Sequence, residues 1–250
     1  MSHHAKTGHL GSTFSATDLL TVLYFAFLRI DPAHPADPLR DRFILSKGHG
    51  CSSLYVTLAK RGFFPEEELE TFTKDGSRLP AHPSSRLLPG IEASTGSLGH
   101  GLSLGVGMAL AAKREKLPYR TVVVVSDGEC DEGSTWEAVL SAGHWKLGQL
   151  ICIVDYNKIQ AFGRTKDIMD LEPFADKWRA FNWHVQEVNG HDHGDILAAL
   201  KNTQEDLSKP HVIIAHTIKG KGASFMEDTV DWHYWQLTDD HLKTALSELC

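Results

Sequence analysis

The sequence predicts an α/β fold, a doubly wound, mainly parallel sheet with helices on both faces, with residues 1–250 as one domain. Two observations carry this expectation. Residues 121–126 (TVVVVS) and 150–155 (LICIVD) are unbroken apolar runs rich in β-branched side chains, as parallel strands covered on both faces require. Between them, residues 132–147 place apolar or small side chains at Trp136, Val139, Leu140, Ala142 and Gly143, and Gly148 follows as a stop signal. This is the pattern of a right-handed βαβ crossover.

Further strands are expected at 42–45 and 212–217, and helices at 17–29, 52–61, 101–116, 192–207 and 239–248. The Pro-rich stretches 31–38 and 79–89 read as loops. In open sheets of this kind ligands bind beyond the carboxyl ends of the strands. The loops after Ser126, Asp155 and Thr217 are therefore where a site is expected.

Composition excludes several classes of function. Apolar residues make up 42% and charged residues 23%, as in ordinary soluble globular chains. The net charge is −7 with no long basic block, so nucleic-acid binding has no electrostatic support. The longest apolar runs have strand length, far short of a membrane span. The start, Met1-Ser2-His3-His4-Ala5-Lys6, has no apolar segment of signal-peptide type. Cys51, Cys130, Cys152 and Cys250 are scattered with no CxxC pair, which argues for a reducing cytoplasmic location and against a disulfide framework.

The loop after the first strong strand, Ser126-Asp127-Gly128-Glu129-Cys130-Asp131-Glu132-Gly133, opens directly into a helix. A carboxylate at a strand end followed by glycine can hold a hard cation beside a phosphate: the backbone approaches closely, and the helix N-terminus favours an anion. Asp-Gly at a strand end is by itself more often a simple turn. The next loop, Asp155-Tyr156-Asn157-Lys158-Ile159, changes the balance, since Asn157 follows Asp127 by 157 − 127 = 30 residues, one crossover helix away. With a backbone carbonyl and diphosphate oxygens, the two side chains supply the oxygen octahedron that magnesium requires, calcium being the second fit.

This spacing resembles the thiamine-diphosphate fingerprint, which implies that Asp127, Asn157 and the Ile159 carbonyl hold the metal. Four further segments are similar to the transketolase family. They are Ala5-Lys6-Thr7-Gly8-His9-Leu10-Gly11-Ser12, the run Arg40-Asp41-Arg42-Phe43-Ile44-Leu45-Ser46-Lys47-Gly48-His49, Ser94-Thr95-Gly96-Ser97-Leu98-Gly99-His100-Gly101, and Thr217-Ile218-Lys219-Gly220-Lys221-Gly222 followed by Trp232-His233. The resemblance runs in order from about residue 5 to residue 233.

Carried over residue by residue, it implies four active-site histidines. His9 and His82, the latter in Pro80-Ala81-His82-Pro83, would face the sugar hydroxyls, and His49 and His233 would contact diphosphate or substrate oxygens. Polyols are recognised by neutral donors and acceptors, and histidine can also carry protons near neutral pH. Gly96, Ser97 and Leu98 would pack the cofactor, with Leu98 supporting its bent shape. Gly128 would cover the diphosphate, and Glu129 and Lys219 complete the cofactor-binding set. Glu132 and Glu137 match acidic positions that join the family's paired active sites; a solvated acidic pair explains them equally well.

The resemblance also sets out differences. The family begins with a helix of about 25 residues ahead of the first matching segment, and it usually carries glycine where Tyr234-Trp235 stands here. Full transketolases continue into a pyrimidine-binding domain whose glutamate protonates the aminopyrimidine. The expectation is a thiamine-diphosphate- and metal-binding subunit of a two-component transketolase, inactive until joined by a second chain in a heterotetramer, that transfers a two-carbon ketol unit from a ketose to an aldose. The alternatives are the alpha subunit of a 2-oxo-acid dehydrogenase, against which Ser46-Lys47-Gly48-His49 and Lys219-Gly220-Lys221-Gly222 speak, and a non-catalytic regulatory subunit.

Overall fold

The computed structural model of the protein describes residues 1–249. Its centre is a five-stranded, all-parallel sheet in the order β1-β2-β3-β5-β4, formed by β1 (Arg42–Leu45), β2 (Thr121–Ser126), β3 (Leu150–Tyr156), β4 (His184–Asn189) and β5 (His211–His216). The register brings Leu45 opposite Val124, Ser126 opposite Asp155 and Tyr156 opposite His216, so the carboxyl ends of β2, β3 and β5 finish within one residue of each other and β1 stops two residues short of β2.

Alternation along the strands divides the core into two layers. Phe43, Leu45, Val122, Val124, Ile151, Ile153 and Ile213 face helices Thr17–Val22, Cys51–Lys60 and His193–Asn202 through Leu20, Leu58 and Leu200. Ile44, Val123, Val125, Cys152, Val154 and Ile214 face Gly101–Glu115, Gly133–Trp145 and Phe174–Ala180 through Leu102, Val139 and Trp178. Both layers are apolar because each sheet face is covered, which is why the strands read as continuous apolar runs and not as alternating ones. Close approach of helix and sheet depends on Gly105, where a Cβ would stand 2.4 Å from Val123 Cγ2.

Several expectations are corrected in detail. The strand β4 (HVQEVN) was not expected: it is an edge strand paired only with β5, and its partly exposed, polar side chains leave no apolar run to read. The helix expected over 17–29 is α-helical only over Thr17–Val22 and widens into a π turn at Leu23–Phe27 before Leu28 turns extended. Leaving the helix there lets the Arg29 N–H and guanidinium reach the buried carboxylate of Asp41, at 2.9 and 3.0 Å. The helix expected over 192–207 ends at Asn202, where the Thr203 hydroxyl donates to the Leu200 carbonyl at 2.7 Å. A short helix, Phe174–Ala180, also escaped the sequence reading although its Trp178 is fully buried.

Among the described residues, no helix is long and apolar enough to cross a membrane. Cys51, Cys130 and Cys152 are buried free thiols. Cys250 lies outside the described residues.

Candidate active site

The loops that follow β1, β2, β3 and β5 converge on a cleft of about 430 Å³. Size does not single it out, since a cavity of the same volume lies against Arg29, Arg120 and Leu197. There the two guanidinium groups are already paired with Asp41. The cleft above the sheet differs in its convergent polar groups. Of the residues singled out from the sequence, His9, His49, His82, His233, Gly96, Leu98, Asp127, Gly128, Asn157 and Ile159 all line it. The loops after Ser126 and Asp155 do so as their place at strand ends requires.

Asp127 caps the short helical turn Gly128–Asp131, its Oδ1 accepting the Gly128 N–H at 2.8 Å. Oδ2 accepts the N–H of Lys158 at 2.5 Å and the Thr165 hydroxyl at 3.3 Å. The side chain is almost wholly buried and, among the described residues, forms no ion pair. Burial and the neighbouring Asp155 charge push its pKa up to about 6. A cation bound beside it would offset that penalty.

Asn157 holds an Asx turn, its Oδ1 accepting the Ile159 N–H at 3.1 Å, which brings the Ile159 backbone to the same wall. One carboxylate, one amide and one carbonyl make an all-oxygen set suited to a hard cation, but three donors do not fill six positions. Among the described residues, no group of three or more His, Cys, Asp or Glu could hold a metal. The remaining ligands of any cation here must come from a bound molecule or water. The residues therefore fit a cation held jointly with a diphosphate.

Three of the histidines cluster along one wall of the cleft. Ring centroids of His9 and His49 lie 5.2 Å apart, those of His9 and His233 5.0 Å, and those of His49 and His233 5.6 Å. His9 sits in the left-handed region (φ 64°), and its N–H donates to the His233 carbonyl at 2.7 Å, tying together segments remote in sequence. Burial is the first cause that lowers the pKa of each ring; His82 adds to it for His9, Lys47 for His49 and Lys219 for His233, which falls to about 3. The Lys219 ammonium can only donate, so His233 Nδ1, 3.3 Å away, accepts and the neutral ring carries its proton on Nε2. These rings are hydrogen-bonding groups, not charges.

A measurement follows from the histidine wall. The unfolded chain takes protons at histidine near pH 6.5, whereas folded His233 refuses one until about pH 3. His233 thus contributes stability that is present above pH 6.5 and is lost as pH falls below it. In a ¹H–¹³C titration, the His233 Cε1 resonance is expected to stay at its neutral position from pH 8 to 5. Movement centred near 6.5 would disprove the buried, neutral assignment.

His82 lies on the far side of the cleft, exposed in the loop 79–89, and packs over Gly96: a Cβ on Gly96 would meet His82 Cδ2 at 2.8 Å. Gly96 has φ 148°, so glycine is required there on both counts. Three residues expected at the cofactor do not line the cleft. Ser97 is exposed beside it. Glu129 is fully buried beneath it, with one oxygen accepting from the Ser46 hydroxyl and the Gly99 N–H and the other from the Ser126 N–H. Lys219 is buried behind the wall, and its ammonium donates to the Gln160 carbonyl at 3.2 Å and to His233. Burial lowers its pKa to about 8. Glu132 lines the cleft edge, and Glu137 is exposed further along helix Gly133–Trp145.

Sequence reasoning missed an ion pair whose Lys47 lines the cleft. Lys47 and Asp155 are both fully buried and paired. Lys47 also donates to the Ser12 carbonyl at 2.7 Å, and Asp155 accepts from the hydroxyls of Ser15, at 2.6 Å, and Thr217. Burial alone would raise the Asp155 pKa, but the Lys47 charge together with the hydrogen bonds from Lys47, Ser15 and Thr217 outweighs it and holds the carboxyl below its usual range. The signal was a charged residue close to the carboxyl end of each of two apolar strands. Tyr234 and Phe162 were also missed; they form an aromatic rim at the mouth, and the Tyr234 ring packs 4.7 Å from His233.

A doubly wound sheet with this cleft defines a cofactor-binding α/β protein. Residues 1–249 match the family model described as transketolase, thiamine diphosphate binding domain, and the chain belongs to that family. It is 47% identical over 242 residues to a 6-deoxy-6-sulfo-D-fructose transketolase subunit of Clostridium sp. (strain MSTE9), covering 97% of this chain and 88% of that one. It is 44% identical over 247 residues to an apulose-4-phosphate transketolase subunit of Phocaeicola vulgatus, covering 99% and 88%. Transketolase from Leishmania mexicana superposes with a TM-score of 0.92 at 32% identity over 98% of this chain and 38% of its own length.

Proposed function

We propose that the chain is the thiamine-diphosphate-binding subunit of a two-component transketolase, active with a second chain that supplies the pyrimidine-binding domain. The observation that carries this reading is one cleft lined both by Asp127, Asn157 and Ile159 and by three neutral histidines. The names of the two relatives, both subunits of comparable length, support the split arrangement. Magnesium is the cation the oxygen set fits best, with calcium second. A heterotetramer with closed symmetry is the assembly proposed, and the cytoplasm its location.

When bound, thiamine diphosphate supplies the nucleophilic carbon that takes up a two-carbon ketol unit from a ketose and passes it to an aldose. The residues of this chain bind, orient and donate. Asp127 and Asn157 would hold the cation that neutralises the diphosphate, and Gly128 would let the backbone lie against it. Leu98 would pack beside the cofactor from the loop that carries Gly96. His9, His49 and His233 are kept uncharged by burial, so they offer N–H groups to sugar hydroxyls without attracting the anionic end of a substrate. A charged substrate end would be read by the partner chain.

His82 is the residue assigned to the reacting sugar. Its loop is stiffened by Pro80 and Pro83, which limits the entropy lost on binding. A hydrogen bond that strengthens as charge develops on the transferred unit is worth roughly 2–4 kcal/mol, by analogy with oxyanion donors. In the enzyme assembled with its partner, His82→Ala is expected to lower kcat by about 10²–10³-fold with cofactor affinity nearly unchanged. Lost cofactor affinity with near-normal turnover at saturation would refute the placement. The reading as a whole is tested by co-expression with the candidate partner and assay of two-carbon transfer from ketose donors. Transfer by this chain alone, or none by the pair, would overturn it.

A further inference from the structure

His191 lies outside the cleft, in the turn that follows β4. Its side chain is 11% exposed and both ring nitrogens are engaged. Nε2 accepts the Ile218 N–H at 2.8 Å. Only an unprotonated ring nitrogen can accept, so the proton sits on Nδ1, which donates to Asp18 Oδ2 at 2.8 Å. Asp18 belongs to the first turn of helix Thr17–Val22, and its other oxygen lies 2.8 Å from His193 Nε2. Burial would raise the Asp18 pKa, but the hydrogen bonds from His191 and His193 outweigh it and keep the carboxyl low. Asp18 is thus a charged anchor that fixes the tautomer of His191.

This relay fastens the turn after β5. Thr217 N–H donates to the Tyr156 carbonyl at 3.3 Å, Gly220 N–H donates to the Gly11 carbonyl at 2.9 Å, and the Lys219 carbonyl accepts from Asp228 N–H at 2.9 Å. The amide of Ile218, between these backbone ties, is held by an imidazole. Close approach of the two turns depends on Gly190, where a Cβ would stand 2.4 Å from Thr217 Cγ2. The residue next to the pinned amide is Lys219, which carries the ammonium that reaches Gln160 and His233 behind the histidine wall.

We infer that His191 is a positioning residue for Lys219: with its tautomer set by Asp18, it pins Ile218 and so fixes the height at which the Lys219 ammonium meets His233 and the loop that carries Ile159. The inference rests on the reading of the cleft as the cofactor site. Its geometric half can nevertheless be measured without any cofactor. Glutamine can reproduce both bonds, with its carbonyl accepting from Ile218 and its amide donating to Asp18; leucine keeps the bulk and loses both.

The test compares His191→Leu and His191→Gln in two measurements. In the chain itself, hydrogen exchange across residues 217–222 is expected to be about tenfold faster in His191→Leu and near wild type in His191→Gln. In the chain assembled with its partner, His191→Leu should weaken thiamine-diphosphate binding about tenfold, and should add little further loss in a Lys219→Met background, since both changes remove the same contact. Unchanged exchange, or fully additive losses, would overturn the positioning role. If the wild-type assembly does not bind thiamine diphosphate at all, the cofactor reading fails and the exchange result still judges the relay. Should His191→Leu not fold, Asp18→Ala serves instead: it removes the acceptor that holds the proton on Nδ1 and frees the ring to carry it on Nε2, where it opposes the Ile218 N–H. Faster exchange there supports the relay, and unchanged exchange refutes it.

Discussion

Replacing Asp127 with alanine is expected to abolish metal-dependent retention of thiamine diphosphate by the assembled enzyme. The carboxylate is the only anionic group among the three proposed metal donors, so its loss leaves the cation two neutral oxygens and the diphosphate. In the unliganded chain the same substitution removes a disfavoured buried charge but leaves the Gly128 and Lys158 N–H groups and the Thr165 hydroxyl without their acceptor. With its pKa pushed up to about 6, Asp127 is held in the folded state as a carboxylate that burial disfavours at neutral pH. The folded group holds its proton more tightly than the unfolded one. Asp127 therefore penalises folding above pH 6 and ceases to do so as pH falls below its ordinary value. A bound cation reverses the penalty. Equilibrium dialysis with and without magnesium measures the first effect, and undiminished retention in Asp127→Ala would sink the metal assignment.

The second large effect is on stability. Lys47→Met removes one partner of a fully buried pair and leaves Asp155 charged, without water, among Ser15 and Thr217 hydroxyls. Breaking a buried pair in this way costs about 3–5 kcal/mol, because an unpaired buried charge remains. Removing both charges is far less harmful, so Lys47→Met with Asp155→Leu should recover much of the loss. Urea unfolding at neutral pH distinguishes the cases. A single variant within about 1 kcal/mol of wild type would show that the pair is solvated or dispensable.

What could be read from the sequence depended on whether a signal was local. Thr121–Ser126 and the run after Leu150 announced themselves because each strand is covered on both faces. The edge strand His184–Asn189 did not, since half-exposed side chains carry no apolar run. Asp127 and Asn157 were legible as strand-end residues one crossover apart, and His9, His49, His82 and His233 through the segments around them. The Lys47–Asp155 pair spans 108 residues, and neither end reveals its partner. Glu129 shows the converse. Its segment suggested contact with the cofactor, but only the packed structure reveals that both of its oxygens are spent on Ser46, Gly99 and Ser126. The relay from Asp18 through His191 to Ile218 joins three segments, and no spacing in the sequence could announce it.

The bond from His9 N–H to the His233 carbonyl has a consequence for the order of folding. It closes a loop of 233 − 9 = 224 residues, whereas neighbouring strands β2 and β3 are joined through a single helix. Loop closure costs entropy that grows with length, so the sheet can assemble from nearby partners well before the two remote segments meet across it. The same segments share a small apolar cluster of Leu10, Met226, Trp232 and Ala245, whose burial repays that late closure. Chemical competence and structural integrity are therefore separable in time: a chain with a complete sheet still lacks its histidine wall. Nascent or partly unfolded molecules would be recognisable by a protected centre with freely exchanging ends.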